Sequence, residues 1–233
     1  MREHRTDLAR KRAIEEAAVK PSKRKDIKVL NGDFRLVLRD LADSSIDLIL
    51  TDPPYDKKSL PLWGEMAKLA ARVLKPGGKM VAMSGQEFLP EVFQQIGKYA
   101  LQWGWEWHIH FDGPTQSHPS RGILSCGRPI LVYIKLDGKT KRQRWLGRPG
   151  KDLVVSKGVD HTFHPYGQKV EVYEKLLFQF SKAGDVVLDP FGGGGTVACA
   201  CKKLGRKCVT TEIKRKYFVT IHKRIFGRPP GKK

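Results

Sequence analysis

Val186, Val187 and Leu188 run straight into Asp189-Pro190-Phe191 and four consecutive glycines at 192–195, and residues 196–204 then have helical character. A buried strand, a glycine turn and a helix in direct succession form the unit from which layered α/β domains are built. The same alternation recurs along the chain. Residues 27–30 (IKVL) read as a strand closed by Asn31-Gly32-Asp33, and 34–41 as a helix. Residues 46–50 (IDLIL) read as a second strand, which ends in Thr51-Asp52-Pro53-Pro54-Tyr55. Leu62, Met66, Leu69, Ala70 and Val73 have helical spacing, Pro76-Gly77-Gly78 stops that helix, and 79–83 form the next strand. Further strands are expected at 105–111, 129–135 and 208–213, and a helix at 170–180 with Val170, Tyr173, Leu177 and Phe180 on one face. Strands alternating with helices predict βαβ units and a mostly parallel sheet.

The remaining segments lack periodicity. Residues 112–128 and 136–163 read as long loops or a small insertion, and 1–25 as a basic helical arm stopped by Pro21, so that the compact domain begins near Asp26. The composition, 40% hydrophobic and 29% charged, is that of a globular chain. No apolar run approaches the roughly 18 residues of a membrane span. The charged start carries no secretory signal, so a cytoplasmic location with reduced thiols is expected. Cys126, Cys199, Cys201 and Cys208 form no C-x-x-C pair and read as small buried apolar side chains.

Lys and Arg number 44 against 24 Asp and Glu, a net charge of +20. The excess is clustered. Residues 202–233 hold twelve basic residues against Glu212 alone, and 135–157 hold eight against Asp137 and Asp152. Clustering of this kind points to a polyanion, and so to nucleic acid.

In a parallel sheet, ligands bind beyond the carboxyl ends of the strands. Two unusual segments stand at such ends. The glycines at 192–195 let the backbone approach a ligand closely, but Asp189 beside them would repel a phosphate. A carboxylate there suits a cationic ligand carrying an amino group and a sulfonium, as S-adenosylmethionine does. Glu212, ending the next strand, can accept both hydroxyls of a ribose. The alternative is that Asp189 caps the following helix and Glu212 is a solvated surface acid. At the other strand end, two prolines remove N–H donors and leave carbonyls free. Asp52 and the Pro53 carbonyl make two acceptors for the two hydrogens of an exocyclic amine, and Tyr55 offers a ring for stacking on a planar base.

Three blocks carry a resemblance: NGDFRLVLRDLADSSIDLILTDPPY (31–55), HPYGQKVEVYEKLL (164–177) and VVLDPFGGGGTVACACKKLGRKCVTTEI (186–213). The chain resembles the β-class amino-group DNA methyltransferases, in which the catalytic motif precedes the cofactor motif. The resemblance implies a Rossmann-like methyltransferase fold, circularly permuted over 26–233. It implies a mostly parallel seven-stranded sheet, helices on both faces and an antiparallel edge strand, with a small DNA-recognition insertion within 112–163. Asp52, Pro53, Pro54 and Tyr55 would form the catalytic segment and hold a flipped base. Asp189, Phe191, Gly192, Gly194 and Thr196 would line the methionine side of S-adenosylmethionine, with Glu212 on the ribose and Asp33 near the adenine ring. His164, Pro165 and Gln168 would complete that pocket, although Tyr166 and Gly167 stand where relatives carry Thr and Gln. Asp before Pro-Pro-Tyr resembles the adenine-N6 type.

Double-stranded DNA is the expected partner, and the resemblance also allows a homodimer. Arg121, Arg128, Lys139, Lys141, Arg142, Arg144 and Arg148 are candidates for phosphate or base-edge contacts, with Lys57 and Lys58 in a loop, 56–61, that would close over the base. His108 and His110 share one strand face but lack a third ligand, so no metal is expected. Cytosine-N4 transfer to DNA, adenine transfer to RNA and a catalytically inactive DNA-binding relative remain as rivals.

Overall fold

The computed structural model describes residues 23–112, 116–118, 122–138, 150–158 and 160–230. Its elements follow the alternation in the sequence. They are β1 (Ile27–Asn31), α1 (Phe34–Val37), β2 (Ile46–Thr51), α2 (Leu60–Val73), β3 (Leu74–Met83), α3 (Leu89–Ile96), β4 (Leu101–Phe111), β5 (Gln116–His118), β6 (Ile123–Ser125), β7 (Gly127–Lys135), β8 (Leu153–Ser156), α4 (Val170–Phe180), β9 (Val186–Asp189), α5 (Thr196–Lys203), β10 (Lys207–Glu212) and α6 (Arg215–Phe226). The main sheet has eight strands in the order β1-β10-β9-β2-β3-β7-β4-β8, and β5 and β6 pair apart from it as a hairpin.

All neighbours are parallel except at β7, which runs antiparallel to both β3 and β4. Two expectations are corrected here. The sheet has eight strands, not seven, and the reversed strand is internal. The cause is β8, a four-residue strand inside the segment read as loop. It pairs with β4 from His108↔Leu153 to Phe111↔Ser156 and becomes the edge. A strand of that length leaves almost no periodic signal.

Strand residues alternate between two cores, because successive side chains of a strand point to opposite faces. Leu48, Leu50, Val81 and Met83 pack with α4, α5 and α6 through Val172, Tyr173, Leu176, Val197, Cys201 and Ile221. Ile49, Met80 and Ala82 pack with α1, α2 and α3 through Phe34, Trp63, Met66, Ala70, Val92 and Ile96. Both faces of the sheet are thus covered, which is why its central strands are continuously apolar. Pro61 lies in the first turn of α2, where its missing N–H costs nothing. The face α2 buries is centred on Trp63, Met66, Ala67 and Ala70, with Leu62 and Leu69 at its margins rather than at its centre. The helix expected over 34–41 closes after Val37. Cys201 and Cys208 are buried as expected and Cys199 partly so, but Cys126 is exposed.

Arg206 is 2% exposed. Its guanidinium donates to the Leu204 carbonyl at 2.6 Å, the Ser181 carbonyl at 3.0 Å and the Ser181 hydroxyl at 3.1 Å. It locks the end of α4 to the turn before β10. Arg206→Met strands those acceptors in an apolar setting, and urea unfolding should show a loss of about 2–3 kcal/mol with an unchanged m-value.

Candidate active site

β2 and β9 are neighbours, in register from Leu48↔Val187 to Ile49↔Leu188, so their carboxyl ends stand side by side. The two segments singled out in the sequence are thereby brought to one sheet edge. Thr51, fully buried, donates its hydroxyl to Asp189 Oδ1 at 2.6 Å, and the Phe191 N–H reaches the same oxygen at 3.1 Å. Burial is the largest influence on Asp189. Together with the charges of Asp52 and Glu212 it outweighs these two donors and pushes the carboxyl up to about 7.

The glycine turn is shaped by what it touches. A Cβ on Gly192 would fall 2.5 Å from Thr210 Oγ1 and 2.9 Å from the Thr211 carbonyl, so that position admits only glycine. Gly195, at φ +80°, caps the amino end of α5. Glu212 is 8% exposed, and its two oxygens accept the N–H groups of Gly193 at 2.9 Å and Lys214 at 2.7 Å. It is therefore no solvated surface acid. It ties the glycine turn to the β10–α6 junction, and burial raises its pKa. Phe191 packs its ring against Phe34, centroids 5.1 Å apart. Asp33 caps α1 through the Arg35 N–H at 2.9 Å and pairs with the Arg35 guanidinium at 2.5 Å, which lowers its pKa.

Residues 160–168 fold over the turn. Gly194 is so close to Phe163 and His164 that a Cβ would lie 3.1 and 3.3 Å from theirs. Arg224 on α6 clamps this contact. Its guanidinium lies 4.2 Å from the Phe163 ring centre and donates to the Gly194 carbonyl at 2.8 Å and to Thr196 Oγ1 at 3.3 Å. His164 meets Tyr217 edge-on at 4.4 Å and accepts the Tyr166 N–H on Nδ1 at 3.2 Å. Burial, and then the Lys214 charge, lower its pKa, so it is neutral at physiological pH. Pro165 and Tyr166 are exposed. Gly167 has a steric origin, since a Cβ there would fall 2.1 Å from the Asp160 carbonyl. Gln168 is 4% exposed, and its Oε1 has no hydrogen-bond partner among the described residues.

In the proline segment, Pro53 is buried and Pro54 exposed, while Asp52 and Tyr55 are partly buried. The Tyr55 hydroxyl donates to Asp52 Oδ1. Burial raises the Asp52 pKa, and the Tyr55 bond and the Arg128 charge hold it back. Gly85 backs Tyr55, where a Cβ would sit 3.0 Å from that of the tyrosine. Behind lies buried Tyr173, its hydroxyl 3.7 Å from Met83 Sδ. Lys57 and Lys58 are exposed on a 3-10 turn, Lys57–Ser59, capped by Asp56. Arg128, a candidate for a phosphate or base-edge contact, lies over the Tyr55 ring, 5.2 Å from its centre. Arg121, Lys139, Lys141, Arg142, Arg144 and Arg148 lie outside the described residues.

Thr51, Gly85, Tyr173, Tyr217 and Arg224 were not foreseen. Thr51 alone had a usable signal, its place directly before Asp52 on a buried strand. The whole arrangement suits a cationic nucleoside. It offers a turn that leaves no room for a Cβ, a buried amide oxygen at Gln168 without a partner among the described residues, and a dehydrated carboxyl at Asp189.

Known proteins resemble this chain over most of its length. A family model for N6/N4 methyltransferases, described as DNA methylase, matches residues 137–223, which include the glycine turn and Glu212. The chain is 30% identical to the type II methyltransferase M2.DpnII of Streptococcus pneumoniae over 88% of this chain and 91% of the relative. It is 26% identical to the DNA adenine methyltransferase YhdJ of Escherichia coli, over 82% of this chain and 79% of the relative. The solved complex of M1.HpyAVI with SAM superposes with a TM-score of 0.69 at 25% identity, covering 86% of this chain and 99% of that one. Likeness of this extent makes the chain a member of the amino-group (N6/N4) DNA methyltransferase family.

Proposed function

We propose that the chain transfers a methyl group from S-adenosylmethionine to the N6 amino group of adenine in double-stranded DNA, acting on a base flipped out of the helix. The observation that carries this reading is the shared edge of β2 and β9, where the Asp52 carboxylate and the Asp189 cradle are one hydrogen bond apart through Thr51. Asp rather than Ser before Pro53-Pro54-Tyr55 supports adenine, as does the likeness to an adenine methyltransferase.

Asp189 and Gln168 would hold the charged methionine end and Glu212 the ribose hydroxyls. Exposed Ile213, next to Glu212, offers apolar surface for the nucleoside ring. His164 shapes the cradle through Gly194, and Asp33, paired with Arg35, would lie near the adenine ring. When bound, S-adenosylmethionine supplies an electrophilic methyl group on a sulfonium.

The chain's own residues do the rest. The N6 lone pair is delocalised into the purine ring and is a poor nucleophile. Asp52 and the Pro53 carbonyl accept its two N–H bonds, which favours a pyramidal nitrogen with its lone pair turned toward the cradle. Tyr55 supplies the stacking surface. The amine becomes cationic as it is alkylated, and the fixed Asp52 carboxylate in a partly dehydrated setting offsets that charge. A burial-raised pKa also makes Asp52 a better acceptor for the proton that must leave. Extracting the base costs a few kcal/mol. Phosphate contacts from exposed Lys57, Lys58, Lys214, Arg215 and Lys216 supply binding energy against that cost.

Labelled S-adenosylmethionine and unmodified duplex DNA should yield N6-methyladenine on nucleoside analysis, and Asp52→Ala should cut the rate by at least about a hundredfold. N4-methylcytosine would move the base assignment, and labelled RNA without labelled DNA would move the substrate. The raised pKa of Asp189 gives a second expectation. The cofactor's cationic end binds the carboxylate form, so binding expels a proton and affinity rises as pH climbs through about 7. Calorimetry should show up to about tenfold tighter binding at pH 8 than at pH 6, with proton release, and Asp189→Asn should remove that dependence.

A further inference from the structure

β7 runs against its neighbours, so its first residues lie at the edge where β3 and β4 end. Met83↔Ile130 on one side and Ile109↔Arg128 on the other fix that placement. The strand start has no slack. A Cβ on Gly127 would fall 2.4 Å from the Ile109 carbonyl, and the Ser84 N–H bonds the Pro129 carbonyl at 3.0 Å. From this anchored backbone the Arg128 side chain reaches into the Asp52–Tyr55 segment. Its guanidinium lies over the rings of Tyr55 and Phe111, 5.2 and 5.5 Å from their centres.

A guanidinium is planar, stacks on aromatic faces and carries N–H donors along its edge. An adenine is also planar, stacks, and presents two N–H donors from its amine. The pocket provides a phenol face and a carboxylate, which suit both. Here the phenol face lies under the guanidinium, and the Asp52 oxygen Oδ1 is bonded by Tyr55 itself. One oxygen of Asp52 and the Tyr55 ring are thus already engaged within the protein.

We propose that Arg128 is a base-exchange residue: its guanidinium covers the Tyr55 face while the pocket is empty and leaves it to the target base, moving onto the DNA backbone as it does so. This rests on reading Asp52 and Tyr55 as the target-base pocket. The consequence is selectivity for a base presented by a polymer. A free nucleoside must displace the arginine and offers it nothing in return. A duplex offers phosphates within reach of the side chain it displaces.

The test uses 2′-deoxyadenosine as a competitive inhibitor of methyl transfer to duplex DNA, on the full chain with S-adenosylmethionine. Arg128→Ala removes the competing plane, so its inhibition constant for deoxyadenosine should fall by about threefold or more, the worth of one cation–π contact, while its KM for DNA rises. Arg128→Lys keeps the charge but not the plane. It should show the lower inhibition constant with KM for DNA near that of the parent. Unchanged cofactor affinity by calorimetry confirms that both variants are folded. An inhibition constant that is unchanged or higher, or no inhibition of any of the three proteins, overturns the exchange and leaves Arg128 as a phosphate contact or a support for the base. Methylation of cytosine by the parent chain would fail the adenine reading alone, and deoxycytidine would then be the inhibitor. A parent chain that methylates no DNA would overturn both.

Discussion

The hydrogen bond from Thr51 to Asp189 joins the two halves of this site, and the rest of the arrangement depends on the strand order that makes it possible. Adjacent parallel strands end at the same level. β2 and β9 therefore deliver Asp52 and Asp189 to the same edge without any loop having to bridge them. A buried carboxylate needs donors, and here they come from the neighbouring strand and from the turn that follows its own. On the proposed reading, the same bond that satisfies Asp189 also sets the distance between cofactor cradle and base pocket. Reactions that require two partners in line gain most from positioning of this kind.

The charge distribution has a related logic. A chain of net charge +20 gathers three acids, Asp52, Asp189 and Glu212, at the edge where its two unusual segments meet. Each has its pKa raised, chiefly by burial, and Asp52 and Glu212 push Asp189 further. That strain is relieved by bringing in a cation. On the proposed reading, the basic exterior draws a polyanion, while the acidic interior disfavours phosphate and suits a sulfonium and an amine. Arg128 belongs to the same scheme, as the protein's own cation set against Tyr55 and Asp52.

Much of this was legible in the sequence because strand ends carry strong local chemistry. Asp-Pro-Pro-Tyr and Asp-Pro-Phe followed by four glycines both follow short apolar runs, and period-2 burial on both faces confirmed those runs as β2 and β9. What stayed hidden depends on tertiary context. β8 is too short to show a period, and it owes its existence to the open side of β4. α6 drew no helical reading, because only Phe218, Ile221 and Ile225 mark its buried face. In α2 the leucines suggested one face, but Trp63 and Ala67 fill the core more completely than Leu62 and Leu69. Glu212 was recognised as an acid at a strand end, but its backbone N–H partners come from Gly193 and Lys214, nineteen residues before it and two after. Arg128 read as one basic residue among many. Only the reversal of β7 turns it inward.

A crystal structure of the chain with bound S-adenosylmethionine would decide whether the ends of β2 and β9 form one site. The cofactor's amino group should lie within hydrogen-bonding distance of Asp189 and its ribose hydroxyls on Glu212. The methyl group should face the Asp52–Tyr55 pocket across the Thr51 bond. A cofactor seated away from the glycines at 192–195, or one that leaves Asp189 bonded only to Thr51 and Phe191, would contradict it.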